Sequence, residues 1–170
     1  MSQPVLAGRA RVLGDDVNTD YLISSSRKKE SLDPKVLRQY LLEDLDPGFA
    51  ASVAEGDILV AGSNFGCGSA MEVAVTVVLG AGIRAVVAKS FSRTYWRNAI
   101  NNGLLAIVAD TTGIVEGQGL EVHLAGSQPQ LLVTSEPVRS VPCDPLPPFM
   151  LAMREAGGLV PYLRRHRTLA

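Results

Sequence analysis

Cysteine is scarce in this chain: Cys67 and Cys143 are the only two among 170 residues. Two thiols are too few for a disulfide framework, a structural zinc site or a full set of iron–sulfur ligands, so no metal is expected on this chain's own side chains. Histidine is as rare, with His123 and His166 alone, and aromatic residues make up 5%. Charge of either sign is not in excess. A net charge of −1 and a pI of about 6.1 call for neither nucleic acid nor an anionic membrane as a partner. Long apolar runs are missing too, because Gly, Arg and Lys break every stretch short of the roughly 20 residues a membrane-spanning helix needs. The opening MSQPVLAGRARV lacks the apolar centre of a signal peptide. A cytoplasmic location is expected.

What the chain has instead is small apolar residues. Hydrophobic side chains make up 46%, charged ones 19%, with 16 glycines and a mean hydropathy of +0.17. That composition excludes disorder and suits one domain, spanning 1–170, with apolar surface left over for a partner to cover. Arg164, Arg165, His166 and Arg167 read as a solvated tail.

Periodicity divides the chain into two textures. Val5 to Leu13 reads as a strand, and Gly14 to Asp20 as a loop, rich in Asp, Asn and Thr that bond their own backbone. After Tyr21, Leu22 and Ile23, a polar stretch from Ser24 to Ser31 carries Arg27, Lys28 and Lys29. Asp33 followed by Pro34 predicts an N-cap and first helical residue, with the helix running to about Leu45. Ile58–Ala61 is a buried strand. Ala70 to Gly80 is a helix apolar nearly all round, closed by Gly80 and Gly82. Strand 83–88, helix 93–101, a cap at Gly103 and strand 104–109 complete an α/β unit with parallel strands. Beyond Asp110, short apolar runs around Leu120, Val122, Leu124 and Leu131 to Val133 alternate with Gly and Ser, as in antiparallel hairpins. Pro137, Pro142, Pro145, Pro147 and Pro148 form an irregular connector. A helix over 149–156 ends at Gly157 and Gly158, and a short segment, 159–163, follows.

The chemistry centres on NFGCGSAMEVA, residues 64–74. A strand enters a glycine loop that leads into a helix start, where unpaired N–H groups favour negative charge. Ser69 is either a helix-capping serine or an oxygen held among N–H donors that stabilise it as an alkoxide, able to take a proton from a carbon beside a carboxylate. The spacing matches neither the phosphate-binding P-loop nor the dinucleotide fingerprint, and the loop by itself leaves both readings of Ser69 open. A serine-hydrolase reading fails, since only His123 and His166 could serve as its base and neither sits in a motif that aims it there.

Four ordered segments carry a family resemblance: GRARVLGDDVNTDYLI, ILVAGSNFGCGSAMEVA, AVVAKSFSRTYWRNAINNGLLAIV and EAGGLVPYL. Over residues 5 to 163 the chain resembles the small subunit of isopropylmalate dehydratase, the separate-chain form of the aconitase swivel domain. The resemblance implies an α/β fold, the swivelling β/β/α domain with a mixed, mainly parallel sheet and C-terminal hairpins. It implies a large-subunit partner, in a heterodimer or heterotetramer, that carries a 4Fe-4S cluster. Together the two would dehydrate and rehydrate a small hydroxy acid such as 3-isopropylmalate, a step of leucine biosynthesis. The partner's cluster would act on the leaving hydroxyl as a Lewis acid while Ser69 takes the proton. The resemblance further maps a site aspartate onto Asp20 and a substrate-facing arginine onto Arg27. Gly66, Gly68, Ala70 and Met71 would line the substrate. Of the AKSF…RNAIN signature, Lys89, Ser90, Arg93, Arg97 and Asn98 are present, with Arg93 and Arg97 expected in ion pairs that secure their helix.

One departure stands inside the motif. Family members typically read GSSRE followed by His or Gln; here Ala70 replaces a serine, Met71 an arginine and Val73 the His or Gln. Losing a charge-assisted contact to a carboxylate removes roughly 1.5–3 kcal/mol, and a thioether there makes the pocket more apolar. Glu72 reads as an acid that favours the helix start, and Cys67 as packing. Isopropylmalate remains the default substrate. A dimethylmalate or homocitrate type is the alternative, and a non-catalytic paralogue that only binds the large subunit is the reading from another class.

Overall fold

The structure is a computed structural model that describes residues 6–167; Val5, the expected start of the first strand, lies outside them. Seven strands form one sheet in the order β4-β3-β2-β1-β5-β6-β7. β1 (Leu6–Val12), β2 (Ile58–Ala61), β3 (Ala85–Ala88) and β4 (Leu105–Val108) are parallel neighbours. β5 (Gly119–Ala125), β6 (Gln128–Val133) and β7 (Arg139–Pro142) extend the sheet antiparallel from β1. The sheet is mixed, with its C-terminal hairpins as expected.

Side-chain chemistry explains the division. β2 and β3 are buried at every residue, because helices cover parallel strands on both faces and leave no place for a polar side chain. In β5 and β6 burial alternates, so Leu120 and Val122 face inward opposite Val133 and Leu131 and the other face meets solvent.

The α-helices among the described residues are α1 (Thr19–Leu22), α2 (Pro34–Leu37), α3 (Phe49–Ser52), α4 (Val73–Gly80), α5 (Arg93–Asn101), α6 (Pro148–Ala156) and α7 (Leu159–His166). Four boundaries correct the sequence reading. The helix opened by Asp33 and Pro34 ends at Leu37 rather than Leu45 and passes through a 3-10 turn, Arg38–Tyr40. Leu42, at φ 58, donates its N–H to the Leu22 carbonyl at 3.1 Å, so a tertiary bond replaces the helical ladder. α4 begins at Val73, not Ala70: the Ser69 carbonyl, which would accept the first helical bond, is taken by the Thr19 hydroxyl at 2.8 Å. β7 forms inside the proline-rich connector, where Ser140 and Val141 pair with β6 and Pro142 sits at the strand's end. Finally, 159–163 is the first part of α7, whose last turn carries Arg164, Arg165 and His166; the basic cluster is solvated but mostly helical.

At the N-terminal edge of the parallel strands lies a buried ion cluster. Asp57, 2% exposed, accepts from Arg9 Nε at 3.0 Å and Nη2 at 2.8 Å, from Arg11 Nη1 at 3.3 Å and from the Ala54 N–H at 2.9 Å. Arg11 also reaches Ser52 and Glu116. Burial pushes the Asp57 carboxyl up, but Arg9, the Ala54 N–H and Arg11 together hold it below the usual carboxylate range.

Candidate functional site

The opposite, C-terminal edge of the parallel strands, where open α/β sheets bind their ligands, is occupied by three loops tied to one another. Asp15 accepts from the Ser63 N–H at 2.7 Å, and the Asn64 side chain donates to Asp16 at 3.0 Å. Asn64 and Phe65 donate their N–H groups to Ser90, one to the hydroxyl at 2.7 Å and one to the carbonyl at 3.0 Å. Gly66 donates to the Val17 carbonyl, and Thr19 to the Cys67 carbonyl, both at 2.8 Å. The glycine loop is thus a strap held from both sides.

Two of its glycines are required by this packing. Gly66, at φ +80, lies buried where a Cβ would collide with the Tyr95 ring; Gly68, at φ +97, would collide with Asn18. Tyr95 is itself fixed, fully buried with its hydroxyl donating to the Ala74 carbonyl at 3.0 Å. Ser92 caps α5 by accepting from Tyr95 N–H and donates its hydroxyl to the Gly66 carbonyl at 2.8 Å.

Ser69 and Ala70 emerge exposed from this strap. Glu72 stands at the N-cap of α4, so the capping reading of Ser69 is overturned. Among the described residues the Ser69 hydroxyl makes no hydrogen bond, and neither do the N–H groups of Gly68, Ser69 and Ala70. Gly66, whose N–H is spent on Val17, lends the loop its shape and not a donor. Asp20, exposed in the first turn of α1, directly follows the threonine that holds the Ser69 carbonyl. The structure therefore brings Asp20 and the serine loop together.

The cations sort differently from the sequence reading. Arg27 donates to both Glu43 oxygens at 2.8 and 3.2 Å and to Glu30 at 3.0 Å, with its guanidinium 3.9 Å from the centre of the Tyr40 ring. Hydrogen bonds to Glu43 and Glu30 push it further above its ordinary value. Lys28, its neighbour, is exposed and places Nζ 3.8 Å from the Met71 sulfur. Met71 is 6% exposed, so its thioether belongs to the core with only its sulfur edge toward the amine. No spacing rule could have separated Lys28 from Arg27 and Lys29, because the carboxylate that claims Arg27 is sixteen residues away. Arg93 and Arg97, expected in ion pairs, have no carboxylate within 4.0 Å among the described residues. His123 pairs with Glu121 on β5 at 2.8 Å.

Among the described residues no three His, Cys, Asp or Glu side chains gather as a metal set. Cys67 lies in the loop and Cys143 is buried, its thiol pushed up by that burial. The two thiols among the described residues, one in the glycine loop and one buried beside β7, do not come together as cluster ligands. Nor is any helix of the described residues long and apolar enough to cross a membrane.

The fold is a mixed α/β domain whose glycine strap presents, among the described residues, an unbonded seryl hydroxyl and unbonded main-chain N–H groups. Its residues 43–112 match the aconitase C-terminal domain. The chain is 44% identical to the 3-isopropylmalate dehydratase small subunit 1 of Methanopyrus kandleri, over 95% of this chain and 94% of that one. It is 38% identical to the methanogen homoaconitase small subunit of Methanocaldococcus jannaschii, over 97% and 95%. A crystal structure of 3-isopropylmalate dehydratase from the latter organism superposes with a TM-score of 0.89 at 39% identity, covering 95% of each chain. The chain belongs to the aconitase-related family of 3-isopropylmalate dehydratase small subunits.

Proposed function

We propose that this chain is the small subunit of a hydro-lyase that dehydrates and rehydrates a hydroxy dicarboxylate together with a large subunit in the cytoplasm. The observation that carries this reading is the exposed Ser69 hydroxyl, unbonded among the described residues and flanked by the N–H groups of Gly68 and Ala70, which are unbonded there too. A buried or capped serine would have no such freedom.

Ser69 accepts the proton from the carbon next to the one that loses hydroxyl, and the neighbouring N–H groups stabilise the negative charge on its oxygen. Asp20, next in the chain to the Thr19 that holds the Ser69 carbonyl, is the second catalytic group. The 4Fe-4S cluster belongs to the partner, where it supplies a Lewis acid for the departing hydroxyl. All that this chain contributes is the base, the cradle and part of the substrate wall: Ala70, Gly68, the edge of Met71, and Lys28 in the cation position assigned above to Arg27. Residues 1–170 act as one domain.

Isopropylmalate is the default substrate, which places the reaction in leucine biosynthesis. The Lys28–Met71 contact favours a second reading, a differently substituted malate of the dimethylmalate or homocitrate type, because an ammonium holds a carboxylate as a point charge without the planar fork of a guanidinium. The test is reconstitution with the cognate large subunit and a screen of malate analogues by enoate absorbance. Turnover of at least one analogue is expected, lost on Ser69→Ala; a complex that forms but turns over none of them would leave a subunit that binds without catalysis.

A further inference from the structure

Helices α5, α6 and α7 pack on one another and share an unusual charge. They carry Arg93, Arg97, Arg154, Arg164 and Arg165 with Glu155 as their single acid, in a chain whose net charge is −1. The arginines on α5 are placed against their own helix: Arg93 is its first residue, where the positive end of the helix repels a cation, and Arg97 repeats the charge one turn on. No acid stands in the first turn, and among the described residues neither arginine has an ion-pair partner.

The same three helices expose apolar side chains. Phe149 is 47% exposed, Val160 58% and Leu163 36%, and a cleft of about 290 Å³ opens between Trp96, Arg97, Ile100, Asn101 and Phe149. Aromatic side chains with arginine are the composition of interface centres. The N-terminal end of α5 reaches the glycine strap, its capping Ser92 donating to the Gly66 carbonyl with Arg93 next in the chain.

We infer that the large subunit docks on the α5–α6–α7 face through an apolar patch rimmed with aspartate and glutamate, Trp96 and Phe149 acting as anchors and Arg93 and Arg97 finding there the carboxylates this chain does not give them. The inference rests on the proposed function, which requires a large subunit to reach Ser69. The positive rim then speeds encounter and fixes orientation.

The test is titration calorimetry of the full chain against the cognate large subunit at about 50 and about 500 mM salt, charges being screened at the higher. The double variant Arg93→Glu/Arg97→Glu, at exposed positions, is compared with Phe149→Ser and with Arg38→Glu outside the face, each checked for native circular dichroism. The double variant is expected to weaken binding about tenfold or more at low salt and much less at high salt, Phe149→Ser to weaken it at both, and Arg38→Glu and Ser69→Ala to bind as wild type. Wild-type affinity in the double variant, with dehydratase activity intact, would overturn the docking face and leave the proposed function standing. If wild type binds no large subunit and turns over no malate, both fall. A double variant that loses affinity for an RNA or DNA oligonucleotide while keeping its affinity for the large subunit would assign the face to nucleic acid and overturn the inference.

Discussion

An ammonium 3.8 Å from a buried thioether is a weak contact, and its interest lies in what it leaves free. Lys28 has no carboxylate partner among the described residues, while the adjacent Arg27 is held by two. Lys28→Ala is therefore expected to raise KM for the dicarboxylate about ten- to a hundredfold, the loss of one charged contact, with a smaller effect on kcat; unchanged steady-state kinetics would remove Lys28 from the site. Arg27→Ala, by contrast, loosens the loop onto Glu43 and Tyr40. At Met71 the arginine typical of the family can be restored: Met71→Arg is expected to shift preference toward isopropylmalate in a competition assay, and an unaltered substrate profile would refute the link between this position and specificity. Ser69→Ala should lower kcat by about a hundredfold or more with the complex intact. The motif puts Ser69 in an exposed glycine loop, as the structure shows. The pairing of Arg27 with Glu43 could not be read there, since it depends on a fold that local spacing does not encode.

Among the elements, the legible ones are those whose signals are local. α5 runs from Arg93 to Asn101, as the following Gly103 signals, and β2 is the uninterrupted apolar run Ile58–Ala61. Elements decided by long-range bonds were misread: α2 stops where Leu42 turns to Leu22, and α4 starts late because Thr19 holds Ser69. α7 was read only as a short segment, 159–163; its Pro161 stands in the first turn, where a proline displaces no intrahelical bond. The glycine strap joins both kinds, its sequence local and its conformation imposed by Tyr95. Gly66→Ala is expected to destabilise the domain by roughly 2–4 kcal/mol, combining positive-φ strain with a collision against a ring that has no room to retreat. Equilibrium urea unfolding would measure it, and a midpoint equal to wild type would mean that the ring can move aside.

Across the whole molecule, a buried ion cluster and the proposed chemistry sit at opposite ends of the parallel strands. One edge leaves Ser69, Asp20 and Lys28 exposed; the other buries Asp57 among Arg9, Arg11 and the Ala54 N–H. Removing one member of a buried ion cluster strands the others, so Asp57→Asn is expected to cost about 3 kcal/mol at neutral pH. The pH dependence has a definite sign. Asp57 titrates lower in the folded chain than in the unfolded one, whose carboxyl has a pKa of about 3.9, so its contribution is fully present above that value and is lost as pH falls through the folded value. Urea midpoints of the wild type should then drop most steeply below about pH 4, and the variant, lower from the start, should decline less there. Because the cluster touches none of the loops at the other edge, the variant's kcat with the large subunit should match wild type wherever it remains folded; a variant that is stable but slow would tie the two edges together and refute their independence.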